Sequence, residues 1–289
     1  MSGSFFKLFA AAALVAILAA IMATILGGAA QAQGAAPAAP AAKPQMVQGC
    51  PGLIAGRPPA AIPAAFRLAA LKADEVRLTY IGHSTFLIES PQLVRIATDY
   101  NGYIVPPVLP DIVTMNHAHD THYTDNPDPA IKHVLRGWAE DEKPARIDMT
   151  YKDVRVRNVP TNIRTLGGGT ERHGNSIFIF EIANLCIAHL GHLHHTLTQA
   201  QLNEIGRVDV VMVPVDGSFT LDLEGMVEVL HALKAPLMIP MHYFSSFTLN
   251  RFLDRVRREW EVEVAEIPSL VVSKTSLPVK PKVLVLPGH

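Results

Sequence analysis

Histidine carries the chemistry this sequence offers. Thirteen of the 289 residues are His, and seven of them fall in two short stretches, MNHAHDTHYTD at 115–125 and IAHLGHLHH at 187–195. His117, His119 and His122 follow the apolar run Ile112 to Met115. In an extended segment a spacing of two turns two imidazoles to the same side, and a third ring three residues on swings back if the chain turns. Neutral imidazole is the commonest metal-binding side chain, and a close cluster suits zinc's coordination. A solvated loop has no reason to collect His in place of Lys, Ser or Asp, so 117–122 reads as a metal-ligand loop. In the second stretch His189 closes a strand and precedes Leu-Gly, with His192 three residues on; both are candidate ligands. His194 and His195 read as solvent-facing. His242, in IPMHYFS at 239–245, follows a buried strand and opens a helix, and open α/β sheets place ligands at such carboxyl ends of strands.

The elements that must carry these residues are legible from periodicity. Val76, Leu78 and Tyr80 alternate, and STFLIE (84–89) and LVRIAT (93–98) follow after short polar breaks, which predicts an antiparallel meander. IVTM (112–115), DVRVRNV (153–159), NSIFIFEIA (175–183) and LCIAHL (185–190) supply further strands, with Gly167 to Gly169 as a loop. Beyond 195 helix and strand alternate. Thr198 is the expected N-cap and Gly206 the stop of one helix. VDVVMVP (208–214) and PLMIPM (236–241) are buried strands; 221–234 and 244–260 read as helices. His133 and His231 lie on helix-like segments. A meander followed by βα units, with no linker between, argues for one layered α/β domain.

Composition excludes some classes. Lys and Arg number 25 against 26 Asp and Glu, so no basic excess exists to neutralise a nucleic-acid backbone. Two cysteines cannot build a disulfide framework or a four-thiolate zinc site; a Cys50–Cys186 bridge and a buried free Cys186 both stay open. The start of the chain carries one charge, Lys7, then an apolar run from Leu8 to Leu26 and the small-residue triplet Ala30-Gln31-Ala32. That is the pattern of a secretory signal peptide over 1–32, with an uncleaved membrane anchor as the competing reading. Either way the body is expected outside the cytoplasm: periplasmic or secreted if the segment is cut, anchored in the inner membrane facing the periplasm if it is not. Residues 33–49 begin with an Ala/Pro-rich stretch and read as a linker, leaving 50–289 for the single domain.

Strand–HxHxxH, strand–H and strand–H in this order resemble the metallo-β-lactamase superfamily, most closely its bacterial metal-dependent hydrolases related to the ascorbate-6-phosphate lactonases. The resemblance runs from about Val76 to Tyr243. YIGHSTFLIES (80–90) is similar to the family's opening hairpin, NHAHDTH to its HxHxDH loop, and HLG at 189–191 to the start of its His-Leu-Gly-Asp stretch. VDVVMVPVDGSFTLD (208–222) is similar to a following strand and turn, and IPMHY to the segment of its last metal-binding histidine. The resemblance implies an αββα sandwich, two mixed sheets flanked by helices with metals in a cleft at one edge. It further implies that His117, His119 and His189 hold a first metal and that His122 and His242 contribute to a second.

Two departures bear on that ligand set. The family's aspartate falls at Thr121, with the acid one place earlier as Asp120, and its bridging aspartate is replaced by His192. A nitrogen-rich site is therefore expected, with His192 as a ligand and one or two zinc ions as the cofactor, other divalent transition metals being open. Asp99 is placed to orient a ligand histidine, and Asp216 is a similar prospect; His83 is either near the cleft or structural. The expected function is metal-dependent hydrolysis of a small-molecule ester, lactone, amide or phosphoester by a metal-bound hydroxide, with Asp120 or Asp125 orienting it or accepting a proton. A non-catalytic periplasmic metal-binding module on the same fold is the alternative, kept alive by the Asp-to-His replacement at 192.

Overall fold

The computed structural model describes residues 70–288 apart from 118 and 166. The expectations for the leader, the linker, the domain's start at 50 and the Cys50–Cys186 pairing fall on residues outside that range. The first sheet holds β1 (Glu75–Gly82), β2 (Thr85–Glu89), β3 (Arg95–Ala97), β4 (Ile112–Met115) and β5 (His133–Arg136). The second begins with β6 (Asp148–Tyr151), β7 (Val154–Arg164), β8 (Thr170–Ile182) and β9 (Leu185–His189). The chain then alternates: α1 (Gln199–Ile205), β10 (Val210–Pro214), α2 (Leu223–Leu233), β11 (Leu237–Met241), α3 (Ser246–Val256) and β12 (Glu261–Val264). Finally β13 (Ser269–Ser273) returns to the first sheet and β14 (Lys282–Val285) to the second. The six-stranded order is β13-β1-β2-β3-β4-β5 and the eight-stranded order β12-β14-β11-β10-β9-β8-β7-β6. Both sheets are mixed. The expected meander pairs antiparallel from β1 to β3, β3 to β5 run parallel, and β9, β10 and β11 run parallel in the second sheet.

Side-chain alternation explains why the central strands are apolar throughout. In β10, Val210 and Met212 join the core between the sheets, whereas Val211 and Val213 pack under the helices. In β8, Phe178 and Phe180 face the first sheet and Ile177 and Ile179 the helices. A strand buried on both faces has no solvent side to mark with polar residues. Each such side chain contributes about 1.5–3 kcal/mol relative to exposure. Phe178, Phe180, Met212 and Ile239 meet Tyr80, Phe86 and Ile88 in one continuous layer, which holds the two sheets in register.

The helices begin and end where their capping residues dictate. Thr198 and Gln201 form a reciprocal capping box on α1, and Gly206 (φ 72°) ends it. Asp222 caps α2 through Gly225 N, and Ser245 caps α3 through Thr248 N. Ser245 makes α3 start later than periodicity predicts, and the helix stops at Val256. Among the described residues the helices lie against the eight-stranded sheet. The outer face of the other sheet, Ala97, Val113 and Met115, is covered by Tyr100, Tyr123, Ile131 and Trp138. His133 corrects the helix expected around it: it is the first residue of β5, paired in parallel with Ile112 of β4. Next comes Gly137, where an added Cβ would lie 2.7 Å from Ser176 Cβ, so the chain there runs hard against β8.

Candidate metal centre

The ends of β3, β4, β9, β10 and β11 and the β1–β2 turn meet at one edge of the sandwich. They deliver Asp99, His117, His119, His122, His192, Asp216, His242 and His83 to one place. Three of these residues pay in backbone strain: His83 (φ 50°), Asp99 (φ 53°) and His242 (φ 55°) all lie in the left-handed region. Non-glycine residues persist there only when their surroundings over-determine them, and such residues cluster at functional sites. The determinant is visible for two of them. The His83 carbonyl accepts from His242 N at 2.7 Å and from the Tyr80 hydroxyl at 2.9 Å. The β1–β2 turn and the end of β11 are therefore tied together before any ligand is considered.

A buried carboxylate lies against Nδ1 of each innermost ring, as a hydrogen bond at His122 and as a close contact not aligned as a hydrogen bond at His242. His122 Nδ1 bonds to Asp99 Oδ2, with both side chains fully buried. His242 Nδ1 lies 3.1 Å from Asp216 Oδ1. A proton held on Nδ1 leaves Nε2 as a lone pair, and the two Nε2 atoms face each other at 3.4 Å. Two acceptors at that distance repel unless a cation lies between them. A tetrahedral ion with bonds of about 2.0–2.1 Å sets its nitrogens roughly 3.3–3.4 Å apart, so the pair fits a shared metal. His83 completes the group: ligand atoms of His83, His122 and His242 all lie within 4.8 Å of one another. Neither ring nitrogen of His83 has a hydrogen-bond partner among the described residues.

A second set of rings adjoins the first. His117 and His192 lie 5.5 Å apart centroid to centroid, His117 and His119 6.2 Å, and His119 and His192 6.4 Å, all nearly parallel. His192 reaches back to His122 at 4.5 Å. His117 Nδ1 donates to Gly174 O at 2.6 Å, which leaves Nε2 as its lone pair. The outermost ring, His119, is exposed, with Nδ1 3.0 Å from Asp120 Oδ1 and 3.0 Å from Thr121 Oγ1. Asp120 is exposed beside it, and Asp125 is exposed further along the loop.

His189 is placed differently from the other expected ligands. Its Nε2 donates to Ser84 O at 2.8 Å, and its Nδ1 accepts from Asn116 Nδ2 and from Gly191 N, each at 3.2 Å. Both nitrogens are thereby satisfied by protein, and no lone pair is left over. The ring pins the β1–β2 turn to the ends of β4 and β9. Gly191 (φ 61°) is required there, since a Cβ would come within 2.4 Å of Asn116 Nδ2 and 2.5 Å of Asn175 Oδ1.

Burial holds His83, His117, His122 and His192 toward the neutral form. Burial, reinforced by His242 and His122, pushes His83 down to about 3. Burial also lowers His117 and lowers His122 and His192 far below the ordinary histidine range, the neighbouring imidazoles adding to it for the latter two. Neutral imidazole is the form that binds metal. Burial raises Asp99 to about 6. Burial acts in the same sense on Asp216, but His242, Thr220 and Ser218 N outweigh it and hold the carboxyl below its usual range.

Two residues stand closer to the site than the sequence alone suggests. His83 belongs to the inner group, and its one sequence signal is the Gly-His-Ser turn. His194, expected at the surface, is buried: its Nδ1 accepts from Arg164 N at 3.0 Å and its ring lies 4.7 Å from His192. His195 is exposed as expected.

Comparison with known proteins agrees with this geometry. A family model for the beta-lactamase superfamily domain matches residues 77–242, more than half of the chain. A UPF0173 metal-dependent hydrolase of Thermoplasma volcanium is 25% identical over 195 residues, covering 58% of this chain and 84% of that protein. One from Methanoculleus marisnigri is 23% identical over 238 residues, covering 72% and 98%. Among solved structures, the chain is similar to a Thermotoga maritima protein assigned to the zinc-dependent hydrolases of the metallo-β-lactamase superfamily. There the TM-score is 0.56 at 28% identity, over 74% of this chain and 100% of that one.

Proposed function

The chain belongs to the metallo-β-lactamase superfamily of metal-dependent hydrolases, and on that basis we propose that its ion is zinc and its substrate a small ester, lactone, amide or phosphoester. The observation that carries the ion is the facing pair of Nε2 lone pairs on His122 and His242, each backed by a buried carboxylate. His83 is the third nitrogen of that group, and His117, His119 and His192 form the adjoining place for a second ion. An all-nitrogen set suits zinc, copper or nickel and disfavours manganese and magnesium. When bound, a divalent ion of this kind acts as a Lewis acid and brings the pKa of its water down to about 7.

The chain's own residues do the rest. Asp99 and Asp216 hold His122 and His242 in the tautomer that presents Nε2 to the cleft. Asp120 lies 3.0 Å from His119 Nδ1 on the solvent side and is the nearest exposed carboxylate to receive a proton there. Asp125 is a more distant acceptor. The apolar segment 8–26 and the Ala30-Gln31-Ala32 triplet support an exported, periplasmic or secreted enzyme.

Metal analysis of purified protein with a panel of generic esters, lactones and phosphodiesters tests the reading. Zinc at one or two equivalents, with turnover lost together with metal in His122→Ala, is the expected result. Full turnover by a metal-free His122→Ala protein would end it.

A further inference from the structure

We propose that Phe219 and Phe244 form an apolar subsite beside the metal centre. It receives the acyl chain of the substrate, which makes the substrate class an ester or lactone of an apolar carboxylic acid. The proposal rests on the hydrolase reading above and narrows it.

Both rings are among the exposed large apolar side chains described: Phe219 at 64% and Phe244 at 58%. Single exposed apolar residues are ordinary, but a contiguous group at the rim of a polar cleft marks a ligand site. Contiguity is shown by the ring contacts. Phe219 and Phe244 meet edge to face at 5.7 Å, and Phe244 lies 5.3 Å from His242 and 5.7 Å from His83. Phe244 therefore borders the inner histidines, and a ligand that covers it on that side reaches them.

The wall is also fixed by the residues that fix those histidines. Phe219 N donates to Asp216 Oδ2 at 2.5 Å, the same carboxylate that backs His242. Phe244 is two residues beyond His242, and Ser245 then caps α3. An aromatic face built on such a rigid frame loses little freedom when it is covered. The residues beside the two rings in sequence, Ser218, Ser245 and Ser246, are uncharged. Two guanidiniums reach the turn that carries Phe219, and both are engaged by its backbone: Arg251 by the Asp216 carbonyl and Arg164 by the Ser218 and Thr220 carbonyls. The ring faces themselves offer apolar area, which an acyl chain covers and a phosphoryl group does not.

Calorimetric titration of the zinc-loaded protein with acetate, hexanoate and decanoate, the product acids of such a reaction, tests the subsite without needing turnover. Each methylene laid on the wall should tighten binding roughly two- to fourfold, so hexanoate should bind at least about tenfold tighter than acetate. In a Phe219→Ser/Phe244→Ser double variant that gain should collapse. Chain-length independence in the intact protein overturns the subsite, as does full retention of the gain in the double variant. Hydrolysis of 4-nitrophenyl esters in parallel separates the two readings. Turnover with no chain-length gain in binding sinks the subsite alone; a chain-length gain with zinc bound and no turnover of any ester or lactone sinks the hydrolysis of such substrates and leaves the subsite standing.

Discussion

Asp99→Asn isolates the carboxylate behind His122 from everything else in the centre. Asp99 is fully buried; its Oδ2 accepts a hydrogen bond from His122 Nδ1 and its Oδ1 accepts from Asn116 N at 3.3 Å. Asn keeps the shape, tolerates φ 53° as Asp does, and can still accept from Nδ1 through its amide oxygen. What it removes is the charge, together with the long 3.3 Å bond from Asn116 N, which an amide Nδ2 cannot accept. Charge-assisted bonds are roughly twice as strong as neutral ones, and loss of such a partner typically costs about 10–100-fold in metal affinity. That is about 1.4–2.7 kcal/mol. The metal-free fold should be spared, because burial already raises this carboxyl to about 6 and a neutral amide is easier to bury than an anion. Competition for zinc against a chromogenic chelator at pH 7.5, with melting of the metal-free protein as control, reads both quantities. A variant that melts like the parent and binds zinc within twofold of it would refute the role given to Asp99. Asp216→Asn is a poorer probe, since Asp216 also accepts from Ser218 N, Phe219 N and Thr220 N and would take the 217–220 loop with it.

Three further outcomes follow from the same geometry. His189→Ala should destabilise the fold by about 2–4 kcal/mol in chemical denaturation, since it leaves a buried cavity, strips Gly191 N of its acceptor and removes one of the two bonds at Ser84 O and at Asn116 Nδ2, while zinc stoichiometry at saturation is kept; loss of one equivalent in a folded variant would make His189 a ligand. Gly191→Ala should cost about 1–3 kcal/mol in thermal unfolding, from the left-handed φ and the clash with Asn116 and Asn175, and a neutral result would contradict the packing described. The metal-free protein should lose stability as pH falls below about 6.5: unfolded histidines take up protons there, whereas folded His83 stays neutral to about 3 and His194 to about 4. Each such ring contributes a loss of about 1.4 kcal/mol per pH unit. Asp99 runs the other way between about 6 and 4, since its folded form binds the proton first, and offsets about one ring. Urea midpoints that do not move between pH 7 and pH 5 would count against a neutral buried cluster.

Much of this protein is decided locally and can be read from the chain. The capping box at Thr198 and the stop at Gly206, the two-sided apolar run of β10, and the HxHxxH cluster after β4 each depend on near neighbours and a fixed period, so residue order suffices to find them. The second half of the layout, β12 to β14 and the place of β5, escapes such reading, because short half-exposed strands take their conformation from the partner they pair with. The same limit separates the histidines. His189 and His192 look alike in sequence, one at a strand's end and one just past it. Only the fold brings Ser84, Asn116 and Gly191 to His189 and uses up both of its nitrogens, while His192 stays open toward His122. His83 and His194 join the cluster for the converse reason: their surroundings come from segments about 40 to 160 residues away in the case of His83 and 30 away, at Arg164, in the case of His194. Residue type and spacing supply the imidazoles; which nitrogen is left free to bind is a property of the hydrogen bonds around each ring, and those exist only once distant strands have met.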